Sequence, residues 1–177
     1  NGRLELQEAT VALSEDVSLG PLPLTRRNLL HQAFRCLGDP YGWGGQNGHR
    51  DCSGLLQDIY RSFGVLLPRN SAGQSHALGE TWVFANHTQA ENLDWLSHMP
   101  PGTLVTLPGH VVFYLGMHNG QPYVLHAVYA LGNVDREGRP LTRDRINSVV
   151  VSSMEVRVKS GATFLEAAEM GVFPALP

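Results

Sequence analysis

Charge is scarce in this chain of 177 residues: 13 lysines and arginines stand against 16 aspartates and glutamates, 16% of the residues in all, with a formal net charge of -3. That balance leaves no basic stripe of the kind that neutralises a phosphate backbone, so nucleic acid is not an expected partner. Long apolar runs are missing too. No stretch approaches the roughly eighteen apolar residues of a membrane span, and the first residues lack the basic segment followed by an apolar run that marks a leader. Cysteine is rarer still. Cys36 and Cys52 are too few for a disulfide framework and lack the paired spacing of a zinc ribbon, so each is read individually and no cofactor is expected. No repeat period or low-complexity tract is visible.

What is present suits an ordinary globular domain: 42% of residues are hydrophobic, with 19 glycines and 11 prolines gathered where turns would fall. Residues 1–24 alternate loosely at Leu4, Leu6, Ala9, Val11 and Leu13 and end in Gly20-Pro21-Leu22-Pro23, which reads as strand remnants and a linker. Thr25 is an N-cap candidate for a helix carrying Leu29, Leu30, Ala33, Phe34 and Leu37, stopped at Gly38. After a glycine-rich loop to Arg50, a second helix is expected from Asp51 or Cys52 to Gly64, with Leu56, Ile59, Tyr60 and Phe63 on one face. Residues 65–102 read as mostly irregular, with a short helix around Asn92 to Ser97.

From Thr103 the pattern becomes β-rich. Strands are expected at Leu104 to Leu107, His110 to Leu115, Tyr123 to Val128 and Ile146 to Val151, separated by Pro108-Gly109 and Asn119-Gly120 turns, with a last helix at Thr163 to Met170. Helices first and an antiparallel sheet second give an α+β fold, residues 1–24 being a linker and 25–177 the main domain.

Cys52 falls in the first turn of the second helix, where the helix dipole favours a thiolate. A thiol also needs a base, and His110 and His126, placed on neighbouring antiparallel strands, can approach each other and the sulfur. Cys52 would attack a carbonyl, His110 would remove and return the proton, and His126 would orient the His110 ring. Against this stands the plainer reading, in which a lone buried cysteine is an inert small hydrophobe and a strand histidine is structural. Cys36, with no histidine nearby in sequence, takes that plainer reading. A zinc site built from Cys52, His110 and His126 would lack the acidic group that zinc hydrolases usually bring.

The run Gly38-Asp39-Pro40-Tyr41-Gly42-Trp43-Gly44-Gly45, then Asp51-Cys52-Ser53-Gly54, then Leu67-Pro68-Arg69 resembles the NlpC family of papain-like cell-wall cysteine peptidases. Pro101-Gly102-Thr103-Leu104, Gly109-His110-Val111 and Tyr123-Val124-Leu125-His126 match that family's later blocks in order, so the likeness covers about residues 25–128. It implies a papain-like fold and hydrolysis of the amide between γ-D-glutamate and a diamino acid, commonly meso-diaminopimelate, in peptidoglycan stem peptides. Carried over by residue, it makes Cys52 the nucleophile, His110 the base and His126 the orienting member, and sets Tyr41 near the oxyanion site. Asp51 and Ser53 would hold the substrate's free amino terminus, although Asp51 also suits a helix N-cap.

Thr103 stands where the family more often has Asp, and the segment between Arg69 and Pro101 looks long. Residues 1–24 resemble the tail of an upstream small β-barrel of the bacterial Src-homology-three type. The resemblance implies a periplasmic or secreted protein, with cytoplasmic recycling of wall peptides left open. Two other functions stay open: a non-catalytic module that binds wall peptides, and acyl transfer on the same scaffold, since a thioester can be intercepted by nucleophiles other than water.

Overall fold

The computed structural model describes residues 2, 4–12, 17–134 and 139–175. Helix α1 is Arg26–Arg35; Thr25 accepts a hydrogen bond from the Asn28 N–H (3.2 Å), and Leu29 and Ala33 are buried. A 3-10 segment at Trp43–Gly48 leads to α2, Cys52–Arg61, which buries Leu55, Leu56, Ile59 and Tyr60. Gly64 closes α2 at φ 77°, the left-handed conformation that ends many helices at low steric cost.

The sheet has six strands: β1 Gly79–Val83, β2 Leu104–Leu107, β3 His110–His118, β4 Gln121–Val134, β5 Pro140–Ser153 and β6 Met170–Pro174. Their order is β1-β6-β2-β3-β4-β5, every pairing antiparallel. Alternation divides the side chains between two cores. Val111, Phe113, Leu125 and Ala127 pack with α1 and α2, whereas Val112, Tyr114 and Val124 pack on the other side with Leu96, Phe164 and Leu165. Covered on both faces, β2 and the start of β3 read in sequence as continuous apolar runs. The α+β architecture expected from the order of elements is the one observed.

The segment expected to be irregular carries three elements: a one-turn helix α3, Ser71–Gln74; strand β1; and helix α4, Gln89–His98. α4 outruns its expected length because Thr88 and Glu91 form a reciprocal capping box. The last helix, α5, is shorter than expected, Phe164–Ala167, and the chain turns to join β6 against β1 and β2. β6 has no clear strand pattern in the sequence because Gly171, close against Met99, Phe84 and Trp82, interrupts it. β4 and β5 both run past their expected ends.

Residues 4–12 contribute no strand, and Leu4, Leu6 and Val11 are exposed; Leu13 lies outside the described residues. The following connector is anchored: the Leu22 N–H donates to Ser62 O (2.8 Å), and Leu22 and Leu24 pack on the first core. No helix among the described residues is long and apolar enough to cross a membrane.

Candidate active site

α2 presents Cys52 at its first position because Asp51 caps it. The Asp51 Oδ1 accepts from the Gly54 N–H (2.8 Å), the Ser53 hydroxyl (3.3 Å) and Arg69 Nη1 (3.0 Å), while Oδ2 accepts from Arg69 Nη2 (2.7 Å) and the Gly44 N–H (3.0 Å). Burial alone would raise the Asp51 pKa; the hydrogen bonds from Arg69, Gly54 and Gly44, with the Arg69 charge, outweigh it and hold the group below the usual carboxylate range. Gln74, fully buried beneath this turn, donates to Ser53 O (3.0 Å) and Pro68 O (2.9 Å). The first turn of α2 is therefore clamped from both sides.

The start of β3 lies near the sulfur, where the Val111 N–H favours the thiolate. Burial is the strongest influence on the Cys52 thiol and pushes its pKa up; the Val111, Ser53 and Cys52 N–H groups oppose it without reversing it. The helix N-terminus alone thus leaves Cys52 protonated, contrary to what its position in the sequence suggests. Thiolate must come from proton transfer.

A histidine chain shares the cleft with this sulfur through His110. His110 Nε2 lies 2.9 Å from His126 Nδ1, and His126 Nε2 lies 3.1 Å from Ser152 Oγ. Continuing the Phe113↔Leu125 pairing toward the start of β3 puts His126 opposite Val112, so His110 is its diagonal neighbour. Ser152, opposite Val124, is diagonal to His126 on the other side. Phe164 meets both rings edge-on, at 5.7 and 5.3 Å between centroids. Burial lowers the His110 pKa to about 4, and burial followed by repulsion from a charged His110 lowers His126 well below its ordinary value. Both rings are neutral near pH 7.

One tautomer set satisfies the chain. With Nε2–H of His110 donating to His126 Nδ1, the His126 Nε2–H donates to Ser152 Oγ, and His110 Nδ1 is left as an acceptor. Among the described residues no three His, Cys, Asp or Glu side chains form a group able to hold a metal.

Cys52 and His110 open into a cleft of about 460 Å³ shared with Tyr41, Trp43, Gly109, Tyr129 and Phe164. The Tyr41 hydroxyl is pushed up to about 12, first by burial and then by the nearby Cys52 and Asp51, so it remains a donor. Asp51 and Ser53 do not line this cleft; their side chains turn toward Arg69. Thr103 is buried and donates to Pro100 O (2.8 Å) instead of facing the cleft. A larger cavity, about 760 Å³, opens between the connector and α1 and α2 and includes Cys36, whose pKa burial raises, but neither His110 nor His126.

The structure therefore brings together Cys52, His110, His126 and Tyr41, and sets Asp51 and Ser53 behind the sulfur. The sequence gives no role to Ser152, Arg69 or Phe164, although Arg69 stands in the Leu67-Pro68-Arg69 block. Arg69 was within reach of sequence reading, as a cation soon after an acidic cap. Ser152 and Phe164 depend on β4–β5 register and on the path of the chain beyond it, which no local pattern announces.

A model of the NlpC/P60 family matches residues 38–155, about two thirds of the chain. The chain belongs to the NlpC/P60 family. A γ-D-glutamyl-L-lysine dipeptidyl-peptidase of Bacillus cereus is 34% identical over 93 residues, 52% of this chain and 26% of that protein. Dipeptidyl-peptidase 6 of Lysinibacillus sphaericus is 28% identical over 132 residues, 72% of this chain and 43% of that protein. The chain thus spans less than half the length of either relative. An NlpC/P60 endopeptidase from Photobacterium damselae subsp. piscicida superimposes with a TM-score of 0.70 at 21% identity, over 83% of this chain and 38% of that one. That likeness shows the NlpC/P60 fold, the papain-like arrangement of helices on an antiparallel sheet expected from the sequence.

Proposed function

We propose that this NlpC/P60 domain is a cysteine peptidase that hydrolyses the amide between γ-D-glutamate and a diamino acid, meso-diaminopimelate, in peptidoglycan stem peptides. The observation that carries the reading is that Cys52, at a capped helix start, and His110, the outer end of the hydrogen-bonded His110–His126–Ser152 chain, line one cleft. In this reading His110 Nδ1 takes the Cys52 proton as the sulfur attacks the glutamyl carbonyl, and the Tyr41 hydroxyl donates to the developing oxyanion. His110 then passes that proton to the departing amine, leaving a thioester. Water, deprotonated by His110, attacks the thioester; the sulfur leaves, is reprotonated, and the γ-carboxylate is released.

His126 is the orienting member. Being neutral, it accepts the His110 Nε2–H through its Nδ1 both before and after His110 is charged, so the ring keeps its direction throughout the cycle. Asp51 and Ser53 support the cysteine in this reading, because the Asp51 carboxylate already accepts five hydrogen bonds. A substrate amine would reach them only by displacing Arg69. The naming of a B. cereus relative as a γ-D-glutamyl-L-lysine dipeptidyl-peptidase supports the glutamyl side of the bond; the diamino acid in that name is lysine. Wall material as substrate would put the work in the periplasm or outside the cell, with recycling of wall peptides in the cytoplasm as the alternative.

The test incubates the protein and its Cys52→Ala variant with L-Ala-γ-D-Glu-meso-diaminopimelate and follows products by mass spectrometry. Free diaminopimelate is expected from the wild type alone. Release by both proteins, or by neither with the thiol intact, refutes the proposal; a product in which the glutamyl group is joined to an added amine would instead identify acyl transfer.

A further inference from the structure

The half of the cleft that leads from Cys52 along β4 is lined, among the described residues, by Arg143, Arg157 and Lys159 and by no aspartate or glutamate. In a chain where acidic residues outnumber basic ones, 16 to 13, three cations without a carboxylate among them are not a sample of the average surface. The ion pairs among the described residues lie elsewhere, at Arg50, Arg61, Arg69, His87 and His98.

Two of the three are held in place by backbone oxygens, not by charge. Arg143 Nη2 donates to Ala130 O (3.2 Å), and its charge is within electrostatic reach of Tyr41, whose pKa rise it opposes. Arg157 Nη1 donates to Gly161 O (2.6 Å), and the Arg157 carbonyl accepts from the Gly132 N–H (2.7 Å), tying its loop to β4. Among the described residues each guanidinium makes one side-chain hydrogen bond, against five N–H donors. Three acids lie near Arg157. Glu166 feels its charge, but that carboxylate accepts from Thr163 N (2.7 Å) and Thr163 Oγ1 (3.1 Å); Asp144 and Glu155 share a neighbouring groove with Arg157 and form no ion pair with it.

We infer that Arg143, Arg157 and Lys159 form a carboxylate subsite in the Cys52 cleft, by which the domain selects ligands bearing a free carboxylate over their carboxamide counterparts. Prepositioned guanidinium forks match a carboxylate in two parallel hydrogen bonds, and an amide offers neither the charge nor the second acceptor. The consequence for substrate choice rests on the peptidase reading above; recognition of the carboxylate does not.

Two alkylating agents provide the probe. Iodoacetate and iodoacetamide both react by displacement, the Cys52 thiolate bonding to the methylene carbon as iodide leaves, and they differ only in carboxylate against carboxamide. Alkylation is followed by mass spectrometry on the peptide containing Cys52, which keeps Cys36 apart. At low salt the iodoacetate-to-iodoacetamide rate ratio is expected about tenfold above that of a small model thiol, as electrostatic steering in a charged cleft gives. It should fall severalfold in Arg143→Gln/Lys159→Gln, a pair of exposed positions, and in high salt. A ratio equal to the model thiol's, or one unmoved by the double substitution, overturns the subsite.

A second arm compares kcat/KM for stem peptides prepared as free acids and as amides. The acids should be preferred, and the preference should shrink in the double variant. Peptides left uncut while the alkylation ratio stays high would sink the peptidase reading and leave the subsite standing. Peptides cut without preference, with a model-thiol ratio, would do the reverse.

Discussion

On the helical side of the cleft Cys52 is held by charge: an ionised Asp51 clasped by Arg69, inside a helix cap. On the sheet side His110 is held without any charge, by a neutral His126 that leans in turn on a serine hydroxyl. The two sides solve the same problem, fixing a reactive group's direction, with opposite electrostatics. A fully charged support sits where the sulfur needs N–H groups aimed at it. In the proposed mechanism a neutral one sits where the ring passes between neutral and protonated forms without its partner competing for the proton.

The comparison can be broken most severely at the neutral side. His126→Ala should lower kcat by roughly 10- to 100-fold with little change in KM, since it frees the His110 ring without touching substrate contacts. An equal loss appearing in KM would give His126 a binding role instead.

Acid should expose the same asymmetry in stability. His110 titrates at about 4 in the folded protein against an ordinary value near 6.5, so between those values the unfolded chain binds more protons. Stability is then fully present above about pH 6.5 and is lost as the pH falls toward 4, by roughly 2–3 kcal/mol from this ring, with His126 acting in the same direction. Denaturant midpoints across that range should fall steadily, and a His110→Gln/His126→Asn variant should flatten the slope. Asp51, held below its ordinary pKa, contributes its loss only at still lower pH.

On the charged side, Asp51→Ala should cost about 1–2 kcal/mol, the usual worth of an N-cap, read as a lower urea midpoint at unchanged m-value. The smallest effect on catalysis is expected at Ser152→Ala. It removes the acceptor of the buried His126 N–H, and should lower kcat less than about fivefold while costing about 1–3 kcal/mol of stability for the donor left unpaired, read as a lower urea midpoint.

The two sides were also unequally legible in the sequence. Thr25 and Asp51 sit three residues before the N–H groups they accept from, a local spacing that marks a helix start without knowledge of the fold. The Thr88–Glu91 and Thr163–Glu166 boxes carried the same mark. The first would have revealed the full length of α4. The meeting of His110 with His126 followed from two strands expected to be neighbours, but Ser152 needed the β4–β5 register, and a slip of one residue would have turned it to the other face. β1 and β6 carry little alternation of their own and exist as strands because each pairs with the other across the sheet. The thiol's electrostatics were the least legible part. Helix position suggested a lowered pKa, and only the packing around the sulfur shows burial prevailing.

The most direct measurement of the central claim, that His110 supplies the proton acceptor Cys52 lacks, is the rate of Cys52 alkylation by iodoacetamide near pH 7 in the wild type and in His110→Ala. With His110 gone, a buried thiol of raised pKa should react more slowly than a small model thiol, and at least about tenfold more slowly than the wild type. Equal rates in the two proteins would mean that the sulfur ionises without the imidazole, and the Cys52–His110 pairing would have to be abandoned.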